Sequence, residues 1–289
     1  MTVPELPEAE HTRRILEGAL VGRTIVDAAA ADDPIVFDSV PADQVRDWLV
    51  GRVVRGAHRR GKYLWLELSE APHPVVHLGM TGQIRTRGDE PLRLEASPKE
   101  VDRSWPPRFT KLALRAAEEA EPRARPAAEL AFTNPRRLGR VLFRSDPPSE
   151  LPIAKLGFDP LLDMPDRTAF EARIARRSRA VIKSLLLDQG FAAGVGNWIA
   201  DEVLYQAAID PRRRVGTLAL DEIERLRIVI EHVVATAVQV DARKDRFPKD
   251  WLFHRRWGRS REATTEDGKP VAFVEIGGRT TAWVPAVQR

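Results

Sequence analysis

The sequence predicts an α+β protein of more than one domain. Three observations carry that prediction. The 289 residues are 43 % apolar, enough for one large or two ordinary domains. The first half reads as short strands punctuated by Gly and Pro, which favours a β-sandwich or barrel over a parallel sheet. After the segment DPPSELP (146–152), which reads as a linker, the apolar period becomes helical.

Residues 7–20 (PEAEHTRRILEGAL) read as a helix with Pro7 in its first turn, Glu8 and Glu10 near the positive end of its dipole, and Ala9, Leu16 and Leu20 near one stripe. Gly22 ends it. Strand-like segments follow: TIVDA, PIVF and VVRGAHRRGKYLWLEL, in which Leu64, Leu66 and Leu68 alternate with Tyr63, Trp65 and Glu67. PVVHLGM, FTKLALRA and ELAFTNPRRLGRVLF continue the series, with polar loops expected over 86–107 and 115–127. Beyond the linker, RTAFEARIARRS, RAVIKSLLLDQ and NWIADEVLYQAAI read as helices. A long helix is expected from about Asp221 to Val240, with Ile223, Leu226, Ile230, Val233 and Ala237 on one stripe. The last forty residues return to strand, VAFVEI and TTAWV, joined by Gly277, Gly278 and Arg279 in a hairpin whose glycines tolerate positive φ.

Charge is unevenly spread. The net charge is only +4, yet residues 46–62 and 167–183 each carry six basic residues against one acidic, and 243–262 carry eight against three. Such stretches are either solvated faces or, brought to one face, a surface for a polyanion such as DNA or RNA. There is no cysteine, which excludes disulfides, thiolate zinc sites, iron–sulfur clusters and a cysteine nucleophile. No apolar run approaches the ~18 residues that cross a bilayer, and the first fourteen residues lack a signal-peptide core. The expectation is a protein that stays where it is made: the cytoplasm beside the nucleoid in a bacterium, the nucleus in a eukaryote.

Six separated stretches, PELPEAE (4–10), RRGKYL (59–64), HLGMTG (77–82), NPRRLGR (134–140), GVGNWIADEVLY (194–205) and GGRTTAW (277–283), span essentially the whole chain. In order and spacing they resemble the formamidopyrimidine-DNA glycosylase and endonuclease VIII family. The resemblance implies an N-terminal helix plus β-sandwich (4–145), a helix-two-turn-helix domain (152–242) and a C-terminal β-hairpin finger (250–289). Many members carry zinc on that finger through a Cys-x-x-Cys pair; here Val284, Pro285, Ala286 and Val287 stand in its place, so this is the zincless form with no metal and no cofactor. Val284, Trp283, Phe273 and Trp257 are then expected to hold the hairpin by apolar packing.

The activity implied is that of a bifunctional DNA glycosylase and abasic-site lyase of base excision repair. It removes oxidised or ring-opened bases (formamidopyrimidine, 8-oxoguanine or oxidised pyrimidines) and nicks the strand by β,δ-elimination through a Schiff base on an N-terminal proline. Its partner is double-stranded DNA containing damaged bases or abasic sites, met by a monomer. By resemblance the catalytic residues are Pro4, Glu5, Lys62 and Arg279. An N-terminal amine suits the nucleophile because its reference pKa of about 7.7–8.0 leaves a neutral fraction at pH 7. Pro4, however, follows Met1, Thr2 and Val3, and an internal proline nitrogen is a tertiary amide; Val3 is therefore expected to be the true initiator position, read from a GTG codon. Glu5 is expected to be the general acid at the sugar oxygen, its proton held by burial. Glu8 is either a partner in the site or a plain helix-dipole residue. Lys62 and Arg279 are expected on phosphate.

Extruding a base leaves a gap, which the resemblance fills with Met80, Arg136 and Leu138. Relatives often have Asp at position 134 and Phe at 138, where this chain has Asn134 and Leu138. Met80 and Leu138 are alternatively core residues. Arg137, Arg179 and Asn197 are assigned to phosphate, with Arg177 and Lys183 extending the track; Asn197, after Gly194 and Gly196, equally fits a simple helix cap. His73, His77 and His254 read as structural or phosphate-facing. Two rival readings are a non-catalytic binder of damaged DNA, if Met1 to Val3 persist, and an RNA-associated helix-two-turn-helix protein, which leaves Glu5, Lys62 and Arg279 unexplained.

Overall fold

The computed structural model describes residues 4–89, 102–118, 126–260 and 262–289. Most of the two expected loops therefore lies outside the described residues. The chain forms two compact units, one of residues 8–155 with Pro4, the other of Glu5–Pro7 with Leu156–Arg289.

The first unit contains most of helix α1 (Leu6–Leu20), then β1 (Thr24–Ala30), α2 (Ala42–Leu49), β2 (Val54–Arg60), β3 (Tyr63–Leu68), β4 (His73–His77), β5 (Gln83–Thr86), β6 (Thr110–Ala117), β7 (Ala128–Thr133) and β8 (Arg140–Arg144). The strands make two antiparallel four-stranded sheets, in order β1-β6-β7-β5 and β2-β3-β4-β8. Leu64, Leu66 and Leu68 point inward as their alternation predicts, and share one core with Leu112, Leu114, Leu130 and Phe132 of the other sheet and Leu16 and Leu20 of α1.

The structure corrects the sequence reading in several places. PIVF (34–37) is not a strand: the Asp33 carboxylate accepts the backbone N–H groups of Ile35 and Val36, both at 3.2 Å, and turns the chain. Helix α2 follows without a sequence signal, because eight residues with only Val45 and Leu49 buried scarcely show a period. VVRGAHRRGKYLWLEL is cut at Gly61 into β2 and β3, with Arg60 paired to Tyr63. The NPRRLG loop splits ELAFTNPRRLGRVLF into β7 and β8, which join different sheets. Strand β5 is equally silent in sequence; its four residues are all half-buried and show no alternation.

The second unit holds α3 (Arg167–Ala175), α4 (Ile182–Leu187), α5 (Asn197–Gln206), α6 (Leu220–Gln239), β9 (Ala272–Ile276) and β10 (Arg279–Trp283). The Asp166 side chain caps α3 by accepting the Ala169 N–H at 2.8 Å. The predicted stripe of α6 is buried from Ile223 to Ala237 in one core with α5 residues such as Trp198, Ile199 and Val203. Strands β9 and β10 pair through a two-residue turn, with Gly277 at φ 58° and Gly278 at φ 70°. Among the described residues, no helix is long and apolar enough to cross a membrane.

Candidate active site and nucleic-acid interface

The first turn of α5 begins after the Gly-Val-Gly of residues 194–196, and its N-cap, Gly196, has no side chain with which to satisfy the free N–H groups. Glu5 supplies the acceptor. Its carboxylate, 2 % exposed, accepts the backbone N–H of Gly196 at 2.9 Å, of Trp198 at 2.9 Å and of Ile199 at 3.1 Å. Leu6 donates its N–H to the Gly194 carbonyl at 3.1 Å and packs into the helical core. A Cβ on Gly196 would collide with the Glu5 carboxyl, so glycine is required there by the close approach. Pro4, immediately before, is buried. Glu5 is thus buried, with three N–H donors of a helix N-terminus on its carboxyl.

The N–H groups of Gly196, Trp198 and Ile199 at this turn, read in sequence as part of a phosphate cradle, are thus engaged by a carboxylate of the protein itself. The side chain of Asn197 is engaged as well, its Nδ2 donating to the Thr280 carbonyl of β10 at 2.8 Å, while its buried Oδ1 has no hydrogen-bond partner. Lys183 is no surface residue either. It is fully buried, donating to Asp201 and, at 3.1 Å, to the Asn197 carbonyl, and burial lowers its pKa against the pull of Asp201. The other oxygen of Asp201 accepts Arg256 Nε at 3.1 Å, Arg256 Nη2 at 2.7 Å and the backbone N–H of Ala282 at 3.2 Å. Arg177 and Arg179 remain exposed, as does Arg279 at the start of β10.

In the sandwich unit, Lys62 follows Gly61 in the β2–β3 turn and is partly exposed. Nearby, burial, helped by the charges of Lys62 and Arg140, pushes His77 down to about 4. A neutral ring fits its contact, since Nδ1 accepts the Gly79 N–H at 3.2 Å. Gly79, at φ 65°, lies so close to the backbone of Leu138 and Gly139 that no side chain fits, which brings the turn bearing Met80 against the 134–139 loop. Within that loop Asn134 is fully buried. Its Oδ1 accepts the Leu138 N–H at 3.0 Å and its Nδ2 donates to the Leu78 carbonyl at 3.5 Å, a donor role that a carboxylate lacks. Arg136 and Leu138 are exposed, and Met80 is partly buried.

Arg137, exposed on the same loop, has a partner within the protein. Its guanidinium forks onto Asp33 with contacts of 2.9–3.1 Å, and Lys111 reaches the same carboxylate at 2.8 Å. Burial alone would raise the Asp33 carboxyl, but these cations hold it well below the usual carboxylate range. Two residues of this region carry no signal in the sequence. Asp33 lies in a short acidic turn with no local sign of its partner. Phe109 is 55 % exposed at φ 62°, and its carbonyl accepts the Asn134 N–H at 3.0 Å.

The chain matches the family models of the formamidopyrimidine-DNA glycosylase N-terminal domain over residues 3–141 and of its H2TH domain over 156–248. It is 37 % identical over 287 residues to a formamidopyrimidine-DNA glycosylase of Arabidopsis thaliana, covering 99 % of this chain and 71 % of that protein. It is 33 % identical to one of Thermomicrobium roseum, covering 99 % of both chains. The chain belongs to the formamidopyrimidine-DNA glycosylase family. In fold it resembles Lactococcus lactis formamidopyrimidine-DNA glycosylase bound non-covalently to DNA containing an abasic site, with a TM-score of 0.77, 26 % identity and 99 % of each chain covered. A mutant of that enzyme in complex with DNA containing Fapy-dG aligns equally well, with a TM-score of 0.77, 27 % identity and 99 % of this chain and 100 % of that one covered. As a member of that family, this protein is a DNA glycosylase of base excision repair, in a family with abasic-site lyase activity.

The zinc that many formamidopyrimidine-DNA glycosylases carry finds no fitting ligands here. The sequence has no cysteine, and no cluster of three His, Asp or Glu side chains occurs among the described residues. Val284, at the first cysteine position, is fully buried in an apolar cluster with Leu252, Val271 and Ala282, and Phe273 packs against it. Trp283 instead lies under the Arg212 guanidinium at 4.2 Å, and Trp257 packs on Phe253 and under Arg256.

Proposed function

We propose that the protein excises ring-opened purines, the formamidopyrimidine lesions for which its relatives are named, with Pro4 as nucleophile once it is the first residue. One observation supports this above the rest: Glu5, next in the chain to Pro4, is buried and held by three backbone hydrogen bonds, so a carboxyl group is fixed beside the proposed nucleophile. In this reading Glu5 acts as a proton shuttle. It takes a proton from the protonated imino nitrogen, which then attacks the sugar C1′, and hands that proton to the ring oxygen as the sugar opens. The glycosidic bond from C1′ to the base then breaks, the base leaving with the electron pair and taking a proton from water, and the nitrogen lone pair closes the Schiff base; this makes the C2′ proton acidic, and loss of that proton expels the 3′ phosphate.

Lys62 and Arg279 are the proposed phosphate ligands beside the lesion, with Arg179 further along the strand. Met80, Arg136 and Leu138 are the proposed gap-filling residues, and Arg137 shapes their loop through Asp33. The three-part division into 4–145, 152–242 and 250–289 is retained as a functional proposal.

Borohydride trapping on a duplex with an abasic site tests the nucleophile. A chain beginning at Pro4 is expected to form the covalent adduct, and a chain that keeps Met1 to Val3 is not. Equal trapping by both sinks the proposal, because an amide nitrogen forms no iminium. Glu5→Gln in the Pro4-initiated chain is expected to slow base release by roughly 10²–10⁴-fold. A panel of duplexes with single lesions then ranks ring-opened purines against oxidised pyrimidines.

A further inference from the structure

We propose that Asp201 and Arg256 are positioning residues that hold the terminal hairpin where other family members use zinc, and so set Arg279 against phosphate. The second half rests on the Arg279 reading above. Asn197 and Asp201 lie one turn apart on α5, and each takes hold of β10: Asn197 Nδ2 reaches the Thr280 carbonyl, and Asp201 accepts the Ala282 N–H. Thr280 and Ala282 are alternate residues of the strand, and Arg279 comes directly before them. Arg256 completes the joint with two bonds to the Asp201 oxygen that accepts the Ala282 N–H, its guanidinium stacked 4.5 Å from the Trp257 ring centroid. Two N–H groups of one planar guanidinium on a single carboxylate oxygen hold that oxygen in place for the Ala282 N–H. With the Asp201 side chain at 0 % exposure and that of Arg256 at 6 %, this part of the joint has little room to give.

The test follows amide hydrogen exchange of residues 279–284 and the affinity for a duplex carrying a tetrahydrofuran abasic-site analogue. In Arg256→Met the Ala282 amide is expected to exchange about tenfold faster while α6 is unchanged. Affinity is expected to fall as far as in Arg279→Ala, and the double variant to lose nothing more. Arg167→Ala, which breaks an exposed pair with Glu171 on α3, should leave that exchange unchanged. Arg256→Lys, which keeps charge without the fork, should fall between and serves if the Met variant does not fold. Unchanged exchange at Ala282 in both Arg256 variants overturns the anchor. Faster exchange with losses that simply multiply overturns its link to Arg279. Wild-type affinity in Arg279→Ala would instead overturn the phosphate reading and leave the exchange result standing.

Phe109 carries an independent inference. We infer that its ring is a DNA-stacking group that compensates for the aliphatic residue at 138. The observation is a bulky aromatic side chain, 55 % exposed, on backbone at φ 62°, a region such residues rarely adopt. Its carbonyl is tied to the start of the loop bearing Arg136 and Leu138, and the Arg108 guanidinium lies 5.2 Å from the ring centroid. A base is the planar, apolar-faced group such a ring takes up. Phe109→Gly, which relieves the backbone, is expected to raise the unfolding midpoint yet weaken binding to the tetrahydrofuran duplex several-fold, with undamaged duplex unaffected; Phe109→Tyr should bind as wild type. Wild-type affinity in Phe109→Gly, or equal loss on damaged and undamaged duplex, overturns the inference.

Discussion

Asp33 and Asp201 are both aspartates gripped by two cations, yet they sit in different dielectric surroundings. Asp33 is buried, but its partner Arg137 has 46 % of its side chain in water and Lys111 18 %. Asp201 and Lys183 are sealed at 0 %, and Arg256 shows 6 %. A half-exposed pair is screened by solvent and contributes little energy, so the Asp33 clamp chiefly selects one loop shape. A sealed pair has given up its hydration, and its members are stable only together. Glu202, next to Asp201 on α5, is a third case. It is fully buried with no ion-pair partner among the described residues, accepting from Gln206 at 2.8 Å and the Phe253 N–H at 2.8 Å, and burial pushes it up to about 7.

The comparison breaks most visibly at Asp201. Asp201→Ala strands Lys183 and Arg256 in the core and is expected to cost about 3–5 kcal/mol in urea unfolding. Replacing all three with Leu or Met should recover most of that loss, because the desolvation cost disappears with the charges. A triple variant as unstable as the single one would show that the network stabilises the unit outright.

Glu202 comes next and sharpens the case through pH. Its folded pKa is raised above the unfolded value of 4.5, so its contribution to stability is fully present below about 4.5 and is lost as pH rises through 7. Glu202→Gln should flatten that fall, gaining on the order of 2–3 kcal/mol at pH 8 relative to pH 4. Parallel curves for both proteins would sink this account.

Asp33→Asn is expected to cost about 1–2 kcal/mol, since the amide still accepts from Ile35 and Val36 but loses both cations. The Asp33 contribution is present above about pH 4 and fades as pH falls, because its folded carboxyl lies below the ordinary range. Affinity for damaged duplex should drop more than stability does, as the loop bearing Leu138 loses its shape. The smallest effect is expected at Arg167→Ala, which breaks an exposed i,i+4 pair with Glu171 and should move the urea midpoint by less than about 0.5 kcal/mol.

Much of this was legible in the chain. The stripe of α6, the alternation of β3 and the Gly277–Gly278 turn each express a local backbone preference within a few residues, so periodicity and turn chemistry were enough to find them. The six motifs likewise placed Glu5 and Arg279 among the functional candidates. What the tertiary structure decided was pairing. Glu5 meets Gly196 across 191 positions, Arg137 meets Asp33 across 104, and Arg256 meets Asp201 across 55. That is why the sequence reading of Lys183 as part of a phosphate track did not show its buried Asp201 partner, nor that of Asn197 and Arg137 their contacts with Thr280 and Asp33. A charged side chain carries no local mark of its partner. The choice between water, phosphate and a distant carboxylate is made by burial, and burial follows from how the whole chain packs.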